Sequence, residues 1–204
     1  MVQEQVIARG IDDVRVIAAL RKIPRHLFVD RGIVNRAYHD SALPIGEKQT
    51  LSQPYTAAHM TAALRLTGQE KALEVGTGSG YQTALLAELC FNVFSVEKLR
   101  MLSRKARSLL DQLEYQNIAL HVGDGTIGWS DHAPYDAILV AAGAPSAPQP
   151  LLDQLAHGGR LVIPLGDEQS QSLMRITRHR SGFKEEHLGE CKFVKLFGKY
   201  GWRA

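Results

Sequence analysis

The run LEVGTGSGYQ, residues 73 to 82, constrains the fold more than any other segment of the chain. It closes a short apolar stretch, Lys71 to Val75, and opens an apolar helical pattern that reaches about Cys90. A strand that ends in a glycine turn and feeds a helix is the ligand-binding corner of an open α/β sheet. Gly76, Gly78 and Gly80 let the backbone turn tightly and approach a bound molecule with no Cβ in the way. The spacing is E-x-G-x-G-x-G, not the G-x-G-x-x-G of dinucleotide sites, and Glu74 lies inside the strand end. A carboxylate there repels a pyrophosphate and suits a ligand carrying ammonium and sulfonium charges.

Downstream, strand and helix patterns alternate. Asn92 to Val96 reads as a second strand ending at Glu97, followed by an amphipathic helix to about Leu113 and a third strand at Ile118 to Val122. Tyr135 to Ala141 is the strongest strand; a helix near Pro150 to Ala156 leads into a fifth within GGRLVIPLG, residues 158 to 166. This alternation predicts parallel strands joined by right-handed crossover helices. Leu173 to Arg180 and His187 to Leu196 have no helix between them and Ser181-Gly182 for a turn, which predicts an antiparallel hairpin at the sheet edge. The expected fold is therefore α/β: a doubly wound, mostly parallel seven-stranded sheet, Rossmann-like, with a C-terminal antiparallel hairpin and an N-terminal helical segment.

Residues 1 to 68 read as that N-terminal segment, ahead of a core at 69 to 204, the whole forming one domain. Asp12 or Asp13 caps a helix carrying Val14, Ile17, Ala18 and Leu20. Pro24 ends it and opens a short turn through Phe28. Residues 36 to 53 read as an extended loop, and Pro54 starts a helix to about Leu66.

Several function classes fall away. Glu4, Arg9, Asp12 and Asp13 interrupt the first residues, so no signal peptide is expected, and no apolar run approaches membrane-spanning length. Cys90 and Cys191 form no CxxC pair, which fits a reducing cytoplasm and argues against a disulfide framework or a thiolate zinc site. The histidines never recur at helical spacing, so no metal is expected. A net charge of +3 permits a nucleic-acid partner without arguing for one. The basic residues Lys98, Arg100, Arg104, Lys105 and Arg107 read as a solvated helix face.

Two further acids end strands. Glu97 closes the second, where a carboxylate accepts both hydroxyls of a ribose; a surface Glu paired with Lys98 or Arg100 is the plainer reading. Asp124, between Gly123 and Gly125, follows the third and suits an adenine amino group or an ordinary turn. Features at the ends of three successive strands together read as an S-adenosylmethionine site. A fourth element, Gln49 to Tyr55 (QTLSQPY), places Thr50 and Ser52 just before the Pro54 helix, where either could simply cap it.

The segments IPRHLFV (23 to 29), AYHDSALPIG (37 to 46), QTLSQPY (49 to 55), LEVGTGSGYQTALLA (73 to 87), GDG (123 to 125), YDAILVAAGAP (135 to 145), GGRLVIPLG (158 to 166) and FVKLFGKYGW (193 to 202) resemble the protein-L-isoaspartate (D-aspartate) O-methyltransferases. The resemblance runs from about Val14 to Trp202. It implies methyl transfer from S-adenosylmethionine to the α-carboxylate of isoaspartyl residues in damaged proteins and peptides, leaving S-adenosylhomocysteine. The ester then collapses to a succinimide. By the family's motifs Ser52 is the active-site hydroxyl, with Thr50, Leu51 and Ser52 against the cofactor. Glu74, Gly76, Gly78, Ser79 and Gly80 hold its methionine part, Glu97 lies at the ribose, Asp124 and Gly125 at the adenine, and Thr77 and Lys98 are further cofactor-binding residues. The resemblance also implies an unusual order of the last two strands, and a monomer acting on protein, not on nucleic acid or membrane, is expected.

Three residues depart from the family's pattern: Lys48 where Gly is usual, Ala141 where a Thr is usual, and Lys195 where Pro is common. They keep two alternatives open, a paralogue with another acceptor and a module that recognises damage without turnover. Amino methylation scores worse, since no Asn/Asp-Pro-Pro-Tyr segment follows the fourth strand, and neither cysteine follows a proline as cytosine chemistry requires.

Overall fold

The structure, a computed structural model, describes residues 1–203. Helix α1 (Val14–Lys22) starts where the Asp13 carboxylate accepts from the Arg15 and Val16 amides, and it stops at Ile23, before Pro24. Residues 43 to 51 are not a plain loop: β1 (Leu43–Gly46) and β2 (Gln49–Leu51) pair as a separate antiparallel hairpin. Its two turn residues, Glu47 and Lys48, both have positive φ, 50° and 57°, as the tight hairpin turn demands. Two strands this short, one holding a proline, leave no alternating pattern to read. Helix α2 (Pro54–Ala63) has Pro54 in its first turn and ends earlier than predicted, before Arg65 at φ 52°.

The main sheet holds β3 (Lys71–Val75), β4 (Asn92–Glu97), β5 (Ile118–Val122), β6 (Tyr135–Val140), β7 (Leu155–Gly166), β8 (Gln171–His179) and β9 (Gly182–Cys191). Their order is β5-β4-β3-β6-β7-β8-β9, parallel through β7 and antiparallel beyond. Helices α3 (Tyr81–Ala87), α4 (Arg100–Gln112) and α5 (Gln149–Asp153) lie on the crossovers. The chain runs outward from β3 to β5 and then returns to β6 on the other side, so the switch in direction lies between β3 and β6.

Both faces of the central strands are buried, one residue to each in turn: Ala72, Ala137 and Leu139 join one apolar cluster, Leu73, Ile138 and Val140 the other. Val6, Leu20, Leu43 and Met60 belong to the first cluster, so the N-terminal segment packs on the sheet's own core.

The last hairpin strand is displaced from its predicted position. The tight turn at Arg180-Ser181 starts β9 at Gly182, paired with His179, and residues 194 to 202 turn back over the sheet as a strap. Gly143 donates to the Val194 carbonyl and accepts from the Leu196 amide, both at 2.8 Å. Among the described residues no helix is long and apolar enough to cross a membrane.

Candidate active site

A cavity of about 250 Å³ opens at the C-terminal ends of β3, β4 and β6, at the switch point. The glycine loop forms its floor. Gly78 has φ 54°, in the left-handed region that favours glycine, and a Cβ there would crowd the Ile45 side chain of the hairpin at 3.2 Å. At Gly125 a Cβ would fall on the Val75 side chain.

Glu97 is buried at the rim. Its Oε2 accepts from the Gly78 amide at 2.8 Å and its Oε1 from the Leu99 amide at 2.9 Å. Each oxygen keeps a further lone pair, which leaves a fixed carboxylate able to accept a pair of hydroxyls. Thr50, Leu51, Ser52, Gly76, Thr77, Ser79 and Lys98 also line the cavity.

Three predicted contacts lie elsewhere. Glu74 is fully buried beneath the loop, where its Oε2 accepts from Thr83 Oγ1 at 2.5 Å and Ser95 Oγ at 2.6 Å. Ser95 in turn bonds Thr77 Oγ1 at 2.6 Å, so Glu74 reaches the cavity wall only through hydroxyls. Burial pushes its carboxyl up to about 8 against the pull of those two hydrogen bonds, and Glu97 adds to the rise. Held as a neutral acid at pH 7, it braces the loop and does not face a cationic ligand. Asp124 is not among the residues that line the cavity either. Its Oδ1 accepts from the Thr126 amide and hydroxyl, and its Oδ2 from the Lys199 amide at 2.8 Å, so it fastens the strap. Gly80 packs the loop on Ala106 and Leu110 of α4.

Other lining residues carried no local signal. Leu196 and Phe197 of the strap form the roof, and Lys98 Nζ donates to the Phe197 carbonyl at 3.2 Å. Only the family resemblance of FVKLFGKYGW could have marked them.

Ser52 occupies the wall between this cavity and a second one of about 280 Å³, and lines both, together with Thr50, Ala141 and Val194. Gln53, not Ser52 or Thr50, is the cap residue of α2, and no side chain caps that helix. The Ser52 hydroxyl is therefore not consumed by local structure. Lys48 lines neither cavity. Among the described residues no group of His, Cys, Asp or Glu could hold a metal. Burial pushes the Cys90 thiol up to about 12 and the Cys191 thiol up to about 11, which leaves neither as a nucleophile.

A ribose-sized acceptor, a close backbone cradle and a free hydroxyl between two cavities fit a nucleoside cofactor on one side and an acceptor on the other. Comparison with known proteins points the same way. The sequence profile of the family described as Protein-L-isoaspartate(D-aspartate) O-methyltransferase (PCMT) matches residues 1–201. Protein-L-isoaspartate O-methyltransferase 2 of Geotalea uraniireducens is 57% identical over 99% of this chain and 94% of its own. The enzyme of Syntrophus aciditrophicus is 54% identical over the same shares. A solved protein-L-isoaspartate O-methyltransferase superposes with a TM-score of 0.88 at 26% identity, over 98% of this chain and 67% of that one. A candidate member from Plasmodium falciparum, solved with S-adenosyl-L-homocysteine, superposes at 0.83 over 96% of both chains, at 24% identity. With the profile spanning nearly every residue and relatives alike over more than half their positions, the chain belongs to the protein-L-isoaspartate(D-aspartate) O-methyltransferase family.

Proposed function

We propose that this protein transfers a methyl group from S-adenosylmethionine to the free α-carboxylate of L-isoaspartyl residues in damaged proteins, with D-aspartyl residues as a second acceptor. The bound cofactor supplies the methyl group from a sulfonium and is left as the thioether S-adenosylhomocysteine. Gly76 and Gly78 let the backbone approach the methionine part, and Glu97 accepts the ribose hydroxyls. Ser52 donates a hydrogen bond to one oxygen of the acceptor carboxylate and aligns the other with the methyl carbon.

No general base is needed, because a carboxylate with an ordinary pKa near 4 is already ionised at neutral pH. Alignment and exclusion of water are what the chain must supply; the strap over the cavity serves the second. In this reading the partners are isoaspartyl proteins and peptides, not nucleic acid, and the enzyme works as a monomer in the cytoplasm.

The placement of Ser52 between two cavities, with its hydroxyl uncommitted to the helix, is the observation that carries the reading. Incubation with labelled S-adenosylmethionine and paired isoaspartyl and aspartyl peptides tests it. Base-labile label on the isoaspartyl peptide alone supports it. Cofactor binding with no transfer, or transfer to a different acid, overturns it.

A further inference from the structure

The second cavity carries a chemistry of its own beyond Ser52. Tyr55 and His59 stand one turn apart on α2 with ring centroids 5.5 Å apart. Arg9, from the segment ahead of α1, lays its guanidinium over the Tyr55 ring at 3.7 Å. Lys192, just past β9, lines the same space.

The balance of charge in this groove is positive. Arg9 pairs with Asp40 at 3.5 Å, but both side chains are more than two-fifths exposed, and such a pair is weak. Asp40 lies outside the lining, and its Oδ1 accepts from Gln53 Nε2 at 2.7 Å. Glu190 is the acidic residue among the described lining. Its carboxylate is engaged along the sheet edge by Ser170, Ser172 and His187 at 3.3 to 3.4 Å. Lys192 has no ion pair among the described residues. The field of Arg9 reaches inward: burial first, and this guanidinium second, hold the His59 ring below its usual pKa.

An extended peptide advances about 3.4 Å per residue. With the acceptor residue entering this cavity at Ser52, a neighbouring residue at that spacing lies beside the cavity's other lining residues, Arg9 and Lys192 among them. We infer that this groove reads the side chain next to the methyl-accepting residue, and that Arg9 and Lys192 favour a carboxylate there. The inference rests on the acceptor reading of Ser52 given above. It makes the N-terminal segment, through Arg9, a determinant of substrate choice.

Short isoaspartyl peptides carrying Glu, Gln or Lys on either side of the isoaspartyl residue test this, with kcat/KM measured for the wild type, Arg9→Gln and Lys192→Gln. At one flank the Glu peptide is expected to exceed the Lys peptide by about fivefold, the scale of an exposed ion pair. The ratio should fall at high salt and shrink toward unity in either variant. Should Arg9→Gln fail to fold, Lys192→Gln carries the same expectation. Equal values for Glu and Lys at both flanks, or a ratio that neither variant alters, overturns the inference. If no isoaspartyl peptide is methylated at all, the acceptor reading itself fails and this inference falls with it.

Discussion

Arg25 Nη2 donates to the main-chain carbonyl of Ser52 at 2.7 Å, from a side chain with no exposure to solvent. Its Nε donates to the Ala37 carbonyl at 2.8 Å, and its guanidinium lies 4.7 Å from the centroid of the Tyr81 ring at the start of α3. One buried cation thus ties together the segment that carries Ser52, the chain ahead of the hairpin and the helix that follows the glycine loop. Burial draws its pKa below the ordinary arginine value, against the opposing influence of Tyr81.

Arg25→Lys should uncouple these parts, because an ammonium cannot serve two carbonyls and a ring in the fixed geometry of a guanidinium. A loss of about 1–3 kcal/mol is expected, the scale of a broken charge-assisted hydrogen bond. Denaturant unfolding measures it. Turnover should drop more than affinity for S-adenosylhomocysteine, since Ser52 moves while Glu97 does not.

Ser52→Ala removes the proposed hydrogen bond to the acceptor carboxylate. Bonds to charged groups are worth enough for a fall of about 10- to 100-fold in kcat/KM. Cofactor affinity, read by calorimetry, should stay near wild type; its collapse would move Ser52 to a cofactor-holding role.

Glu74 gives the protein a pH signature. Its carboxyl titrates at about 8 in the folded state and at the ordinary glutamate value when unfolded. Between those values the native state binds the extra proton, so stability falls as pH rises through the window and levels off above it. The slope from this group is at most about 1.4 kcal/mol per pH unit. Glu74→Gln keeps an oxygen for Thr83 and Ser95 and carries no proton to lose. Unfolding curves from pH 5 to 9 should therefore be flatter for this variant than for the wild type.

Asp124→Asn should loosen the strap. Burial works against the Asp124 charge, but the bonds from Thr126 and the Lys199 amide outweigh it and hold the carboxyl below its usual range. With the charge gone, trypsin should cut faster at Lys195 and Lys199, and S-adenosylhomocysteine should dissociate sooner. Protection equal to wild type would show that Asp124 does not hold the strap.

Lys48→Gly tests the departure in the hairpin turn. Lys48 holds φ at 57°, a conformation that costs a side-chain residue about 1 kcal/mol and glycine little. The substitution should stabilise the fold by about that amount, measured by thermal unfolding, with methylation little changed because Lys48 lines neither cavity.

The order of strand and helix after Gly68 was legible in the sequence because it rests on local rules: burial on both faces of β3 and β6, a glycine turn at Gly76–Gly80, and prolines at helix starts. The placement of Glu97 and Ser52 at the cavity was legible as well, since each sits where a strand end or a helix start must place it. The hairpin at residues 43 to 51, the strap at 194 to 202 and the true directions of Glu74 and Asp124 were not. Each depends on a partner far along the chain: Leu51 for Leu43, Gly143 for Val194, Ser95 for Glu74, Lys199 for Asp124. A carboxylate beside a glycine loop reads alike in sequence whether it meets a ligand or a buried hydroxyl. Only the packing of β4 and α3 against β3 decided that Glu74 would be sealed in, and only the return of the strap decided where Asp124 would point.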